Sequence, residues 1–305
     1  MTRLVDELLA QEPRLASGGY NPPTEVRDNV LATLHRQLEE CEVFLIDNVA
    51  EYWSANGGWS KPMRPEDFPN VAPPFSQFFM EHSIRDEDGR THDRDARAGF
   101  LFTVIKEDAD AGWTIEICPY LGGRGGPVGP IDVMYAIVEG SGRVLDFRGP
   151  KADGQDRPDD MVSGHWRLVA PALLAVCFLH CRNVRTEVVG PDAKLNRARV
   201  RRGRQPLRRY KVLRIEPMTT TLTTEGGIEV EGLAKALHIC RGHFKTYEER
   251  PLFGRLRGTW WWQDHVRGAI EAGVVEKDYL VDSPSATLSD VRSSAARQAG
   301  TTGRS

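Results

Sequence analysis

The chain reads as an α+β protein: mainly antiparallel β sheet with one long N-terminal amphipathic helix, and a smaller C-terminal β-rich unit. Three observations predict this. Apolar residues recur at three- and four-residue steps from Val26 to Tyr52. Later runs rich in β-branched and aromatic residues flank short turn-forming segments. A polar break over residues 151–160 (KADGQDRPDD) then separates two sets of such runs. At 305 residues, 40% hydrophobic and 27% charged, the chain holds enough apolar material for one large core or two smaller ones.

Residues 1–23, which include SGGYNPP, read as an arm leading into the first regular element. Thr24 is a fitting N-cap for the helix, whose stripe Val26, Val30, Leu34, Leu38, Cys41, Leu45, Val49 and Tyr52 runs to a stop near Asn56-Gly57-Gly58. His35 lies beside that stripe and reads as a boundary histidine. Residues 62–74 form a proline-rich connection. Residues 85–97 (RDEDGRTHDRDAR) form a charge-dense loop without EF-hand spacing. Residues 99–107 and 112–118 predict one strand pair, and DVMYAIVE with RVLDFRG predicts another around Gly140-Ser141-Gly142. The intervening GGRGGPVGP lacks the Lys-Ser/Thr of a P-loop and reads as a loop carrying Arg124.

This N-terminal α+β domain is expected over residues 24–150, followed by a linker at 151–165 and a basic C-terminal α+β domain at 166–282. Within the latter, Pro171 opens a short apolar helix to about Cys181, a strand covers residues 210–215, and a hairpin follows a Thr-rich turn region. Residues 283–305 are small and polar and predict a disordered tail.

No run reaches the roughly 18 to 20 apolar residues that a bilayer demands, and MTRLVDELLAQEPRL lacks the apolar centre of a secretion signal, so a cytoplasmic setting without membrane partners is expected. The five cysteines are odd in number and scattered, which suits buried thiols. Cys177, His180 and Cys181 with Cys240 and His243 form a conceivable zinc set. The apolar run PALLAVCFLHC explains the first pair by burial, so neither a metal nor another cofactor is expected.

The net charge of −3 conceals an asymmetry. Residues 190–270 carry 17 Lys/Arg against 8 Asp/Glu, and ten of those basic residues fall within 194–214 (KLNRARVRRGRQPLRRYKVLR). Such density fits nucleic acid or another polyanion, with Arg201, Arg202, Arg208 and Arg209 as binding candidates. It equally fits a solvated loop, or one docked on the chain's own acidic half.

The densest chemistry lies in residues 237–268 (LHICRGHFKTYEERPLFGRLRGTWWWQDHVRG). Strand alternation puts Arg241, His243, Lys245 and Tyr247 on one face of the first run, and Trp261, Gln263, His265 and Arg267 on one face of the second. Paired as a hairpin across the loop holding Pro251, Gly254 and Gly258, the two polar rows would lie side by side. His243 and His265 would then serve as general base and acid for metal-independent phosphodiester cleavage, with Arg241, Lys245 and Arg267 on the phosphate and Tyr247 orienting it. The same set also suits a phosphate grip without chemistry, with Trp261 and Tyr247 stacking on bases. In a plain structural reading, Trp260, Trp262 and Phe244 are core beneath a solvated charged row.

KLNRARVRRGRQPLRRYKVLRI, ALHICRGHFKTY, PLFGRLRGTWWWQDHVRG and GVVEKDYLV together resemble a family of bacteriophage- and prophage-encoded proteins to which no activity is attached. The likeness spans residues 183–281, and its RGHF and WWxxHVRG pieces are its distinctive pair. It implies a mobile-element setting and no mechanism. Three functions therefore stand open: nucleic-acid binding through the basic C-terminal unit, a nuclease with a histidine pair, and a non-enzymatic partner of a host protein anchored by tryptophans.

Overall fold

Strand-forming residues gather on both sides of the polar break, and strands from both sides share the largest sheet. The computed structural model describes residues 3–10, 24–59, 63–84, 96–108, 112–149 apart from 124 and 132, 159–216, and 236–274 apart from 241, 253, 263, 264 and 268. The strands in chain order are β1 (Glu42–Leu45), β2 (Gln77–Ser83), β3 (Arg97–Asp108), β4 (Gly112–Gly122), β5 (Met134–Val138), β6 (Val144–Arg148), β7 (Val184–Val189) and β8 (Tyr210–Ile215). Among the described residues they form an eight-stranded sheet ordered β6-β5-β4-β3-β2-β1-β8-β7. β1 lies parallel to both β2 and β8, and every other pair is antiparallel.

Helices cover both faces. On one face lie α1 (Leu4–Ala10) and α2 (Thr24–Glu40), which with Val43, Phe79, Leu101 and Tyr120 enclose the smaller cluster. α1 sits close to the sheet because a Cβ at Gly99 or Gly122 would come within 2.8 or 2.9 Å of Leu4. On the other face lie α3 (Asp47–Ala55) and α4 (Asp159–Leu179), packed on Phe44, Phe78, Met80, Phe100, Phe102, Ile115 and Ile117. α4 is buried continuously from Val169 to Phe178, as expected of a helix apolar all round. Among the described residues no helix is long and apolar enough to cross a membrane.

A buried polar group ties α1 to the sheet. Glu81, fully buried on β2, accepts a hydrogen bond from the Val5 N–H (3.0 Å) and lies 3.2 Å from Arg97 Nε. Arg97 also reaches Asp47 Oδ2 at 3.5 Å, while Asp47 Oδ1 accepts from the Ser83 N–H at 2.7 Å.

Mixed α and β content with strands dominant agrees with the α+β expectation, but three of its details are corrected. The single helix from Thr24 to beyond Tyr52 is two helices separated by β1. In β1 the adjacent Val43 and Phe44 are both buried, one on each face, between two parallel neighbours, so the strand shows no alternation and its apolar residues also satisfy a helical period. The arm over residues 1–23 contains α1, whose Leu4, Val5 and Leu8 are fully buried. The expected separation at 151–165 does not divide the sheet. β7 and β8 complete it beside β1, and α4 begins at Asp159, so Pro171 sits inside that helix and does not open it. Residues 283–305 lie outside the described residues.

Candidate functional site

The two candidate regions of the sequence separate in space. In the first, β10 (His243–Leu252) and β11 (Leu256–Trp262) form the expected hairpin. Its turn has Gly254 at φ +72° with the Arg255 N–H donating to the Leu252 carbonyl, a tight connection that favours glycine.

The register defeats the expected juxtaposition. Continued without interruption from the Leu252–Leu256 pair, the ladder would set Tyr247 opposite Trp261 and His243 opposite His265. An irregularity between Tyr247 and Leu252 takes up three extra residues of β10, so Tyr247 faces Gly258 and His243 faces Trp262. A shift by an odd number of residues exchanges the faces. His243, Lys245 and Tyr247 therefore share theirs with Trp260 and Trp262, and Lys245 Nζ stands 5.2 Å over the Tyr247 ring.

Trp261, expected on the working face, turns inward with Phe244. It is 4% exposed, with its ring 4.7 Å from Phe244, 4.9 Å from Phe178 of α4 and 5.3 Å from Tyr52 of α3. Base stacking by Trp261 is thereby corrected to core packing. Of the plain structural reading, Phe244 packs on the main core, while Trp260 is buried on the opposite face with Tyr247, Leu252, Leu256 and Trp262.

His265 leaves the hairpin altogether. It lies on β12 (His265–Arg267), which pairs antiparallel with β9 (Ala236–Cys240), and β13 (Ala269–Val274) flanks β9 in parallel. The Cα partner of His265 is Cys240. The side chains of His265 and Arg267, together with Arg241, Gln263 and Gly268, lie outside the described residues. The paired imidazole row that acid–base chemistry needs is thus not built by this hairpin.

The hairpin is held to the sheet by Asn183. Its Nδ2 donates to the carbonyls of Trp261 (2.8 Å) and Glu216 (2.9 Å), and its Oδ1 accepts from the Trp261 N–H (2.9 Å).

The second region is the basic segment, and here the structure gathers charge. Residues 193–201 form a short helix, α5 (Ala193–Arg201), whose Asp192 N-cap accepts from the Lys194 N–H at 2.7 Å. Asn196 then clamps the returning loop, donating to the Leu207 carbonyl and accepting from its N–H at 2.9 and 2.8 Å. That clamp brings Arg209, at the approach to β8, against the end of β7. Gly190 makes room there, since a Cβ would come 3.0 Å from Arg209 Cγ.

The result is an open groove of about 510 Å³, lined by Pro191, Ala193, Asn196, Arg197, Val200, Arg201 and Arg209. Arg197 and Arg201 are one helical turn apart on α5, so both face it. Arg197 was not singled out in the sequence. The signal for it was the four-residue step from Ala193 through Arg197 to Arg201 within AKLNRARVR.

The four arginine candidates of this segment divide. Arg201 and Arg209 line the groove, and Arg202 is exposed at the C-cap of α5. Arg208 turns away as a brace: its Nη2 donates to the carbonyls of Glu39 and Cys41 at 2.8 and 3.1 Å, its N–H to Asp6, and its carbonyl accepts from Arg3. Lys211 and Arg214 are engaged by Glu42 and Glu187. Among the described residues Arg197, Arg201, Arg202 and Arg209 carry no ion pair.

The cysteine and histidine set around α4 does other work. His180 Nε2 hydrogen bonds with the Ala72 carbonyl at 2.8 Å. Burial pushes the Cys181 thiol up to about 12 and that of Cys177 higher still, so both stay protonated, and Cys181 Sγ donates to the Cys177 carbonyl.

No protein-family model, curated protein or solved structure matches the chain.

Proposed function

We propose that this chain binds the phosphate backbone of nucleic acid through the α5 groove, in the mobile-element setting that its RGHF and HVRG pieces imply. The observation that carries this reading is the convergence of Arg197, Arg201 and Arg209 on one open groove, with no carboxylate partner among the described residues. Guanidinium forks match phosphate oxygens, and such contacts position a protein on a polynucleotide without selecting sequence. Arg202 extends the charge beyond the groove. The open form suits a continuous strand better than an enclosed small anion.

The test is fluorescence anisotropy of labelled single- and double-stranded oligonucleotides with the full chain, between about 50 and 200 mM salt. If three phosphates are engaged, the log–log slope of affinity against salt contains a part of about −2.7 on duplex and about −2.1 on single strand, and Arg197→Ala/Arg201→Ala/Arg209→Ala removes it. Arg148→Ala, on the far edge strand, is expected to leave binding unchanged. Binding that is absent at low salt, or indifferent to the triple substitution, overturns the proposal.

A further inference from the structure

Among the described residues β7 ends the eight-stranded sheet and no strand pairs with its outer edge: Arg185, Thr186, Glu187 and Val188 are all exposed, Val188 at 58%. Uncovered edge strands ordinarily carry protection against pairing, such as proline, a bulge or inward-pointing charge. β7 has no proline and no bulge, and its two charges, Arg185 and Glu187, are of opposite sign, so they repel a mismatched partner and not a complementary one. Its ladder to β8 is unbroken from Val184–Ile215 to Val189–Tyr210.

The sequence along this edge is self-complementary. Reflected about Thr186 in an antiparallel pair, Val184-Arg185-Thr186-Glu187-Val188 sets Arg185 opposite Glu187, Val184 opposite Val188 and Thr186 opposite itself. The hydrogen-bond phase agrees. The Glu216 N–H donates to the Asn183 carbonyl, so the alternation of an antiparallel ladder turns the main-chain groups of Arg185 and Glu187 toward β8 and those of Thr186 and Val188 outward.

A two-fold axis at Thr186 therefore makes Thr186 and its mate a hydrogen-bonded pair. Each Val188 N–H reaches a Val184 carbonyl, and Arg185 and Glu187 fall into the closely spaced positions between bonds, where opposite charges are stabilising. Arg185 is now 3.1 Å from Glu216, and Glu187 2.6 Å from Arg214, all on the same face. A second copy extends that alternating lattice of charge across the seam.

We infer that β7 is the seam of a symmetric dimer in which two copies of this chain join their sheets edge to edge. The occupant is a second copy because the edge matches its own reversal in charge, in apolar residues and in hydrogen-bond phase together, as an isologous contact requires. The inference is independent of nucleic-acid binding, since its readout is the association state of the protein alone.

Sedimentation equilibrium of the full chain over a range of concentrations tests it. The wild type is expected to show a concentration-dependent monomer–dimer equilibrium. Arg185→Glu and Glu187→Arg each place like charges opposite one another twice, and each is expected to weaken the dimer roughly tenfold or more. Mixed in equal amounts, the two variants restore opposite charges at both positions and form a heterodimer. Thr186→Pro removes an outward N–H that β8 does not use, so it is expected to give a monomer with its melting transition retained. A wild type that stays monomeric overturns the inference. So does a dimer indifferent to the single reversals and to Thr186→Pro, or a mixture that fails to associate when both variants are folded.

Discussion

Asn183 shows how much one side chain can join. A primary amide carries the same donor and acceptor as a peptide group, so it can close a ladder where the main chain turns away. Here it bonds both main-chain groups of Trp261 as well as the Glu216 carbonyl, at a buried junction of the sheet and the hairpin. Asn183→Ala leaves those buried groups without partners and is expected to lower stability by about 2–4 kcal/mol in urea unfolding. Asn183→Asp keeps one acceptor but turns a carboxylate oxygen toward two carbonyls, and is expected to be at least as damaging. If the aspartate variant proves as stable as the wild type, Asn183 does not hold the junction.

Among elements, α1 shows where sequence patterning falls short. Seven residues offer too few turns for a periodic stripe to stand out, and the partners that keep them helical lie far away: Gly99 and Gly122 beneath Leu4, and Glu81 accepting from Val5. Burial drives the Glu81 carboxyl up to about 7 from its ordinary 4.5, with the Arg97 guanidinium opposing. The folded state thus holds this proton more tightly than the unfolded chain does. Its contribution to stability is complete below about 4.5 and is lost as pH rises through about 7. His82, held neutral by burial, has the opposite sign and loses stability as pH falls. Glu81→Gln isolates the first effect. Relative to the wild type, its unfolding free energy is expected to be level near pH 4.5 and to rise by up to about 3 kcal/mol by pH 8, measured by urea titration at several pH values. A difference that does not change with pH would refute the assignment.

The strands were legible where turns and alternation coincide, as in β3, β4, β5, β6, β8 and the β10–β11 pair. They are hidden where burial removes alternation: β1 merges with its helical neighbours, and β2 (QFFMEHS), buried at five consecutive positions, shows no alternation beside a proline-rich stretch. The basic groove was half legible. Charge density pointed to the segment, but only the fold separates Arg201 and Arg209, which face the groove, from Arg208, which braces α1 and α2. In the hairpin, alternation separates His243, Lys245 and Tyr247 from Phe244 on β10, but the second run, read as one strand from Trp261 to Arg267, is divided between β11 and β12. Pairing β10 with β11 needed the count of residues consumed between Tyr247 and Leu252, and no local pattern encodes that count.

At the scale of the whole molecule, the polar break near residue 151 marks a change of chemistry and not of folding unit. β8 supplies one of the two parallel neighbours of β1, and α4 covers the larger core face. A chain ending at residue 150 exposes that face. It is expected to bind a hydrophobic dye and to lack a cooperative thermal transition, whereas the full chain melts β1, α4 and β8 together. Calorimetry and dye fluorescence on the two proteins measure this, and a fragment melting cooperatively by itself would restore two separate units.

The three surplus residues of β10 lie on the far side of Tyr247 from Phe244, whose ring stands 5.4 Å from that of Phe178 on α4. The inner end is moored by Phe244 and Trp261, while the outer end packs Tyr247, Leu252 and Leu256 on Trp260, so a change in residue number at the irregularity bears on the second cluster before it reaches the first. Residues inserted at the irregularity are therefore absorbed between two separate anchorages, and the packing of Phe244 and Trp261 on α4 is the one farther from the insertion.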